Sequence, residues 1–141
     1  MKTLRMTYTI EEKKAILSEL IIMAHADQHI KKEELAFIHA IGKRLELDEE
    51  ELSYMVEHPE ELETTVPKNF VKRVVHFHRL MLMMHIDGHV DKAELELLYQ
   101  TALRYGIRKS TVDTLLNTME RYPHGEIPPS ELLSIHQRNH N

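Results

Sequence analysis

The stretch "MAHADQHIKKEEL" at residues 23–35 is matched sixty residues later by "MMHIDGHVDKAEL" at residues 83–95. When residues 23–47 are laid over residues 83–107 without a gap, eight of the 25 positions are identical. The identities include two His, one Asp and one Glu at the same spacing in both copies. An internal period of this length indicates a duplicated structural unit.

The rest of the chain has the residue spacing of helices. Apolar residues recur at intervals of three and four, and the few Gly and Pro residues lie near the ends of such runs. Three pairs have the spacing of a capping box at a helix start: Thr9 with Glu12, Asp48 with Glu51, and Asp91 with Glu94. We therefore predict an all-α fold, a compact domain of about seven helices.

The duplication predicts how the domain is organised. We expect one domain over residues 1–141, with a first repeat at about 10–57, a linker at 58–69, a second repeat at about 70–122 and a C-terminal segment at 123–141. A unit of about sixty residues buries little core alone. The two repeats are therefore expected to pack against each other around a pseudo-twofold axis. The C-terminal segment is expected to form a short helix that docks or frays.

The amino-acid composition and net charge exclude several classes of site and of binding partner. The chain has no Cys, which excludes disulfides, thiolate metal sites and a Cys nucleophile and fits a reducing compartment. Its start lacks a signal-peptide stretch and no run of eighteen apolar residues occurs, so we expect a cytoplasmic protein without membrane insertion. The net charge of −5 argues against nucleic-acid binding. The local basic stretch "KRVVHFHR" at 72–79 is interpreted as one solvated helix face.

No known catalytic or metal motif is complete. Ser is sparse, and with four Gly there is no Gly-rich phosphate loop. As an EF-hand loop, "DGHVDKAELELL" has Lys92 where Gly is required and Leu98 where the bidentate Glu belongs. In "HIDGH", Ile86 stands where a zinc protease needs its general-base Glu. The Met run "LMLMMH" at 80–85 predicts core packing, and no enzymatic activity is predicted.

The repeated pattern resembles a known family. A helix ending in "ADQHI" or "IDGHV", then "KKEE" or "DKAE", then an apolar helix closing in "LEL" or "YGI", is similar to the TerB-like (tellurite-resistance) domain. That domain also occurs in the N-terminal part of some membrane-anchored J-domain co-chaperones. The resemblance covers about residues 10–120, and the chain departs from the family pattern at Gln28, where Gly is usual.

The resemblance implies a compact all-α domain with internal duplication, found in bacterial stress-response proteins and without established enzymatic activity. It also implies acidic residues suspected of metal binding, which correspond here to Asp27, Glu34, Asp87 and Glu94.

Two interpretations of these acidic residues stay open. In the structural one, the Asp folds back on neighbouring backbone N–H groups and the Glu accepts from the connecting loop. In the metal interpretation the carboxylates bind a divalent ion: with imidazoles they suit zinc or nickel, and alone they suit calcium or magnesium. The secondary candidates for imidazole ligands are His25, His29, His85 and His89. No cofactor other than such an ion is predicted.

We predict a non-enzymatic binding or adaptor module in a cytoplasmic stress or envelope-associated response. The alternative is a divalent-metal-responsive sensor or buffer. The expected partner is another protein, and a homodimer is a further alternative. The acidic stretch "ELDEEELSYMVEHPEELE" at 46–63 is expected either to attract a basic partner or to act as a solvated face that keeps the protein soluble.

Overall fold

The computed structural model describes residues 6–26 and 28–140, the last two by their backbone alone. Over these residues the chain forms helices and no strands. The α-helices are α1 (Ile10–Ala24), α2 (Lys32–Arg44), α3 (Glu49–Glu57), α4 (Phe70–Met84), α5 (Lys92–Arg104), α6 (Lys109–Met119) and α7 (Pro129–His140), with short 3₁₀ turns at Pro59–Glu61 and Pro123–Gly125. The predicted all-α class and the number of helices are confirmed.

Local capping explains where the first helices begin. At α1, Oγ1 of Thr9 accepts from the Glu12 N–H at 3.1 Å, and the Thr9 N–H donates to Oε1 of Glu12 at 2.8 Å, which completes the predicted box. At α3, Oδ2 of Asp48 accepts from the Glu51 N–H at 3.2 Å. The Glu51 carboxylate instead forms an ion pair with Lys14 at 2.7 Å. The second predicted capping box therefore has the hydrogen bond to Asp48 but not the reciprocal one to Glu51.

The helices repeat at the interval of the sequence overlay. α1 and α4 begin and end sixty residues apart, and so do α2 and α5. The left-handed backbone positions repeat too: φ is 70° at Gln28 and 76° at Gly88, and 59° at Glu46 and 72° at Gly106. The connections after α1 and after α4 therefore share a left-handed residue at the equivalent position, although the first has Gln28 there instead of glycine.

Packing between the halves is reciprocal. α1 packs against α2 as α4 packs against α5, and α1 also reaches α5 while α4 reaches α2. Such an exchange is expected of two units related by a twofold axis. α7 packs against α4 and α6, and among the described residues the first half has no equivalent helix. Superposition of the halves about a twofold axis stays a prediction.

One cluster of buried residues draws on all seven α-helices. The Met run lies at its centre, since Met81, Met83 and Met84 are fully buried, which confirms its predicted role in packing. Leu132 and Ile135 of α7 are also buried in this cluster. The C-terminal helix therefore docks on the core.

The basic stretch at 72–79 is not a solvated helix face, so that interpretation was wrong. His76 and His78 are buried, and Phe77 between them is fully buried. The reason is that α1, α2, α5 and α7 all pack against α4, which leaves little of its surface to solvent. In the interior, Nε2 of His78 lies 3.1 Å from the carbonyl oxygen of Gly125.

Candidate functional site

Two buried glutamates occupy equivalent positions in the first turns of α2 and α5. Glu34 is 1% exposed and Glu94 is 0% exposed. Oε1 of Glu34 accepts from the backbone N–H of Lys31 at 3.3 Å, and Oε1 of Glu94 accepts from the N–H of Asp91 at 3.4 Å. Each glutamate therefore binds a donor at the start of its own helix, as the structural interpretation of these residues requires.

Lys31 brings the two halves together at this point. Its Nζ lies 2.9 Å from Oδ2 of Asp91 and 3.5 Å from both Oδ2 of Asp87 and Oε1 of Glu94. Positions 31 and 91 are equivalent in the sequence overlay, so a lysine of one half meets the aspartate at the same position of the other. We call Lys31, Glu34, Asp87, Asp91 and Glu94 the carboxyl cluster.

The protonation states in the carboxyl cluster follow from burial and from neighbouring charges. Burial, reinforced by the neighbouring carboxyl group of Glu94, raises the pKa of Glu34 to about 8, and Lys31 offsets only part of this rise. Burial alone would lower the pKa of Lys31, but the carboxylates of Asp91, Glu94 and Asp87 raise it above its ordinary value. The raised pKa of Glu34 therefore favours its protonated form near neutral pH, and the raised pKa of Lys31 favours its charged form.

Asp87 stabilises the connection that precedes α5. Its Oδ1 accepts from the backbone N–H of His89 at 3.0 Å, across Gly88. This hydrogen bond, with a smaller contribution from Lys31, holds the pKa of Asp87 below its usual range. Asp27, the equivalent candidate in the first half, lies outside the described residues.

Within residues 6–26 and 28–140, the four candidate histidines do not join carboxylates in a group that could hold a metal ion. Nε2 of His25 lies 3.3 Å from the carbonyl oxygen of Val56, and Nδ1 of His85 lies 2.8 Å from that of Met81. His89 is at the edge of the carboxyl cluster, with Nε2 3.7 Å from Oδ1 of Asp91. His29 is exposed.

The carboxyl cluster in this arrangement does not fit a metal ion. Oε2 of Glu34 and Oε2 of Glu94 are buried without a hydrogen-bond partner, and such oxygens are the ligands that hard cations prefer. However, the ammonium group of Lys31 lies among the carboxylates, within 3.5 Å of three of them. Across residues 6–26 and 28–140, no three His, Asp or Glu side chains are grouped so that they could hold a metal ion.

Sequence reasoning missed Lys31 and Asp91 as members of this site. The signal that could have found them is the overlay itself, where Lys31 and Asp91 are an unlike pair beside the identical Lys32 and Lys92. Opposite charges at equivalent positions can form an ion pair where a twofold axis brings those positions together.

The acidic segment, residues 46–63, forms a second surface of interest. Its exposed carboxylates are those of Glu46, Asp48, Glu49, Glu50, Glu57, Glu60, Glu61 and Glu63. Among them Tyr54 is 51% exposed, and its ring stacks on His58 with centroids 4.0 Å apart and planes at 21°. The Tyr54 hydroxyl donates to the Glu61 carboxylate at 3.0 Å. The acidic segment therefore presents an ordered aromatic pair within a negative surface.

Comparisons of the chain with protein-family models, with characterised proteins and with solved structures find no match. The TerB-like assignment therefore rests on the repeated residues alone and stays a prediction. No helix in the described part of the chain combines the length and the apolar character needed to cross a lipid bilayer.

Proposed function

We propose that the protein is a non-enzymatic binding module of the TerB-like type that acts in a cytoplasmic stress or envelope-associated response. In this proposal the acidic segment docks a basic segment of another protein. The observation that carries it is the exposed stack of Tyr54 on His58 within that segment. Tyr is enriched among the residues that dominate binding energy at protein interfaces, and a negative surface favours encounter with a positive one.

The aromatic pair is held in place before any partner arrives. Nδ1 of His58 lies 2.9 Å from the carbonyl oxygen of Tyr54, one helical turn away. The hydrogen bond to Glu61 raises the pKa of the Tyr54 hydroxyl, so this group stays protonated. An ordered anchor loses less side-chain entropy on binding. An arginine of the partner could stack on the ring and pair with a neighbouring carboxylate.

The test is the affinity for a synthetic peptide rich in Arg and Leu, measured by fluorescence anisotropy at several salt concentrations. Tyr54→Ala is expected to weaken binding about fivefold or more, the loss of about 1 kcal/mol that marks an important contact. Reversal of charge at Glu49, Glu50 and Glu61 to Lys is expected to remove most of the binding and most of its salt dependence.

A matched control separates a local surface from the overall charge. Glu96, Glu120 and Glu126 are exposed on α5, at the end of α6 and in the loop before α7. Changing these three to Lys alters the net charge by the same amount, and this variant is expected to retain most of the affinity. Equal losses in the two triple variants would contradict a specific docking surface.

A divalent-metal sensor is the second candidate function. It is favoured by one observation, the buried and unpartnered Oε2 atoms of Glu34 and Glu94. A metal ion there would have to displace the Lys31 side chain from the carboxylates. Because a ligand that binds only the folded state raises stability with its concentration, a sensor should lose thermal stability on chelation.

Asp87→Ala distinguishes the two candidates. If Asp87 acts through its hydrogen bond to the His89 N–H, the variant is expected to lose about 0.5 to 2 kcal/mol, the range for a lost capping side chain, with or without chelator. If the carboxyl cluster holds an ion, wild type should be destabilised by chelator and the variant should not respond. Thermal unfolding of both proteins with EDTA, calcium and zinc measures this directly.

A further inference from the structure

The two halves differ in the contact between their first and third helices. In the first half, α1 packs against α3, and Nε2 of His25 at the end of α1 lies 3.3 Å from the carbonyl oxygen of Val56 in α3. The equivalent residues of the second half are His85, at the end of α4, and Leu116 in α6. There, Nδ1 of His85 lies 2.8 Å from the carbonyl oxygen of Met81. His85 therefore bonds within its own helix, whereas His25 bonds across to the third helix.

A cleft of about 580 Å³ lies at this position in the second half. Its lining comes from the end of α4, from α6 and from the turn at Pro123–Gly125, with Phe37 of α2 as a further wall. His85 and Leu116 both belong to the lining. In the part of the chain that the structure describes, α4 and α6 are not packed together as α1 and α3 are. The cleft therefore takes the place of a helix contact that the first half makes.

The size and the apolar residues of the cleft suit an organic molecule. Sites for small organic ligands measure about 300 to 1,000 Å³, whereas a single water occupies only about 30 Å³. The apolar part of the lining consists of Phe37, Leu82, Ile86, Leu116 and Met119. Ile86 is 41% exposed, so a ligand with an apolar body would remove apolar surface from water.

The charge of the lining is negative. Glu120 at the end of α6 and Glu126 after the turn are both exposed and both line the cleft, and the lining contains no Lys or Arg. Neither carboxylate forms an ion pair with another residue of the described ranges. A cleft with charge of one sign concentrates ligands of the opposite sign. The lining therefore favours a cation over a neutral molecule or an anion.

An ammonium group suits this lining better than a metal ion does. Over residues 6–26 and 28–140, no three His, Asp or Glu side chains are grouped so that they could hold a metal. An ammonium group carries three N–H donors and no acceptor, and its hydrogen bonds to carboxylates are strengthened by charge. Asn117, which is exposed and also lines the cleft, has an amide oxygen that can accept as well.

We propose that this cleft binds a small organic amine, a molecule with an apolar body of one or two rings and a single ammonium group. The apolar body lies against Ile86 and Leu116, and the ammonium group pairs with Glu120 and Glu126. None of the residues of the carboxyl cluster or of the acidic segment lines the cleft. The proposal is therefore independent of the binding function proposed for the acidic segment, and each can fail without the other.

The experiment compares three molecules of similar shape: naphthylmethylamine, which is a cation, naphthylmethanol, which is neutral, and naphthoate, which is an anion. Each is titrated into the protein at pH 8, above the ordinary pKa of imidazole and below that of an alkylammonium group. NMR shifts of the methyl groups of Ile86 and Leu116 report binding, and the methyl groups of Val56, at the equivalent place in the first half, should not shift. Wild type is expected to bind the amine about fivefold more tightly than the alcohol, within the range for exposed ion pairs, and the naphthoate most weakly. This preference should fall as salt is added.

Three variants test the assigned contacts. Glu120→Gln with Glu126→Gln should bring the affinity for the amine down to that for the alcohol, while the affinity for the alcohol stays unchanged. Glu60→Gln with Glu63→Gln changes the net charge by the same amount outside the cleft and should keep the preference for the amine. Asn117→Trp, a change at an exposed position, fills the cleft without altering its charge and should abolish binding of all three molecules.

Three results would overturn the proposal. The first is that wild type binds the amine no more tightly than the alcohol. The second is that the amine shifts neither Ile86 nor Leu116 up to its solubility. The third is that the preference for the amine survives in the variant lacking both carboxylates, or is lost equally in the Glu60 and Glu63 variant, since the two carboxylates of the cleft would then not be its source.

Discussion

At the scale of single residues, Gln28 and Glu46 adopt backbone conformations that side chains rarely adopt. Both have positive φ, at 70° and 59°. The equivalent positions of the second half are Gly88 and Gly106, for which this conformation is free of steric cost. The first half therefore carries a local strain that the second half avoids.

Gln28→Gly is expected to stabilise the protein. A left-handed conformation costs a residue with a side chain about 1 to 2 kcal/mol, which glycine avoids. Part of this gain is offset because glycine has more conformational freedom in the unfolded chain. We expect a net gain of about 0.5 to 1 kcal/mol in the free energy of unfolding, measured by urea denaturation. Ala36→Gly, at an exposed helical position, is the control and should lose about 1 kcal/mol.

Glu34 is expected to make the protein less stable as the pH rises. In the unfolded chain its carboxyl group titrates near the ordinary value of 4.5, whereas in the folded protein the pKa is about 8. Between these values the folded state holds a proton that the unfolded state has lost, so the free energy of unfolding falls with increasing pH. Glu34→Gln, which stays neutral, should remove this dependence and be more stable than wild type at pH 8.

The measurement is the difference in urea midpoint between wild type and Glu34→Gln from pH 5 to pH 8.5. Using the difference cancels the titration of groups that do not interact with Glu34. Glu33→Gln changes an exposed neighbour on the same helix, and its urea midpoint should differ from that of wild type by the same amount at every pH in this range. A constant difference between Glu34→Gln and wild type would show that Glu34 is ionised in the folded state.

At the scale of helices, the contact between α2 and α3 and the equivalent contact between α5 and α6 are packed with side chains of different size. A Cβ atom on Gly42 in α2 would lie 2.6 Å from Cδ2 of Leu52 in α3, closer than atoms can approach. The equivalent positions in α5 and α6 hold Ala102 and Val112, both buried. A larger residue on one helix is thus matched by a smaller one on its neighbour.

Gly42→Ala is expected to destabilise the protein by about 1 to 3 kcal/mol, the usual cost of overpacking, although alanine is the better helix former. Leu52→Val alone should lose about 1 kcal/mol through the cavity that it leaves. The double variant reproduces the pairing of the second half and should be more stable than the sum of the single changes predicts. Additive effects in this double-mutant cycle would contradict the proposed complementarity.

Features encoded by neighbouring residues could be predicted from the sequence, and features that depend on distant packing could not. The capping box of Thr9 and Glu12 involves residues three positions apart, and it placed the start of α1 correctly. The burial of His76 depends on the helices that pack around α4, which its local sequence does not reveal. The ion pair of Lys31 with Asp91 joins residues sixty positions apart, so the site was predicted without its central cation.

At the scale of the whole molecule, the carboxyl cluster lies where the two halves meet. Glu34 and Lys31 come from the first half, and Asp87, Asp91 and Glu94 come from the second. Removal of one member of a buried ion pair leaves an uncompensated charge, which is costly. The stability of the junction therefore depends on the balance of charge between the halves.

Exchange of the charges at positions 31 and 91 tests whether these positions are equivalent. Lys31→Asp alone should destabilise the protein by about 3 kcal/mol, near the lower end for breaking a buried pair, because the Lys31 side chain is partly exposed. Lys31→Asp combined with Asp91→Lys should recover most of the loss if the halves are related by a twofold axis. Chemical denaturation measures both, and Lys32→Asp, at an exposed neighbour, is the control.

The ion pair of Lys31 with Asp91 also favours association of a first half with a second half over association of two identical halves. Two copies of the first half joined in the observed way would bring two Lys31 ammonium groups together, and two copies of the second would bring together two Asp91 carboxylates. Like charges repel in both of these homotypic pairs, whereas the heterotypic pair places opposite charges 2.9 Å apart. Fragments 6–62 and 63–140, produced as separate chains, are accordingly expected to reassemble with each other in preference to their own kind.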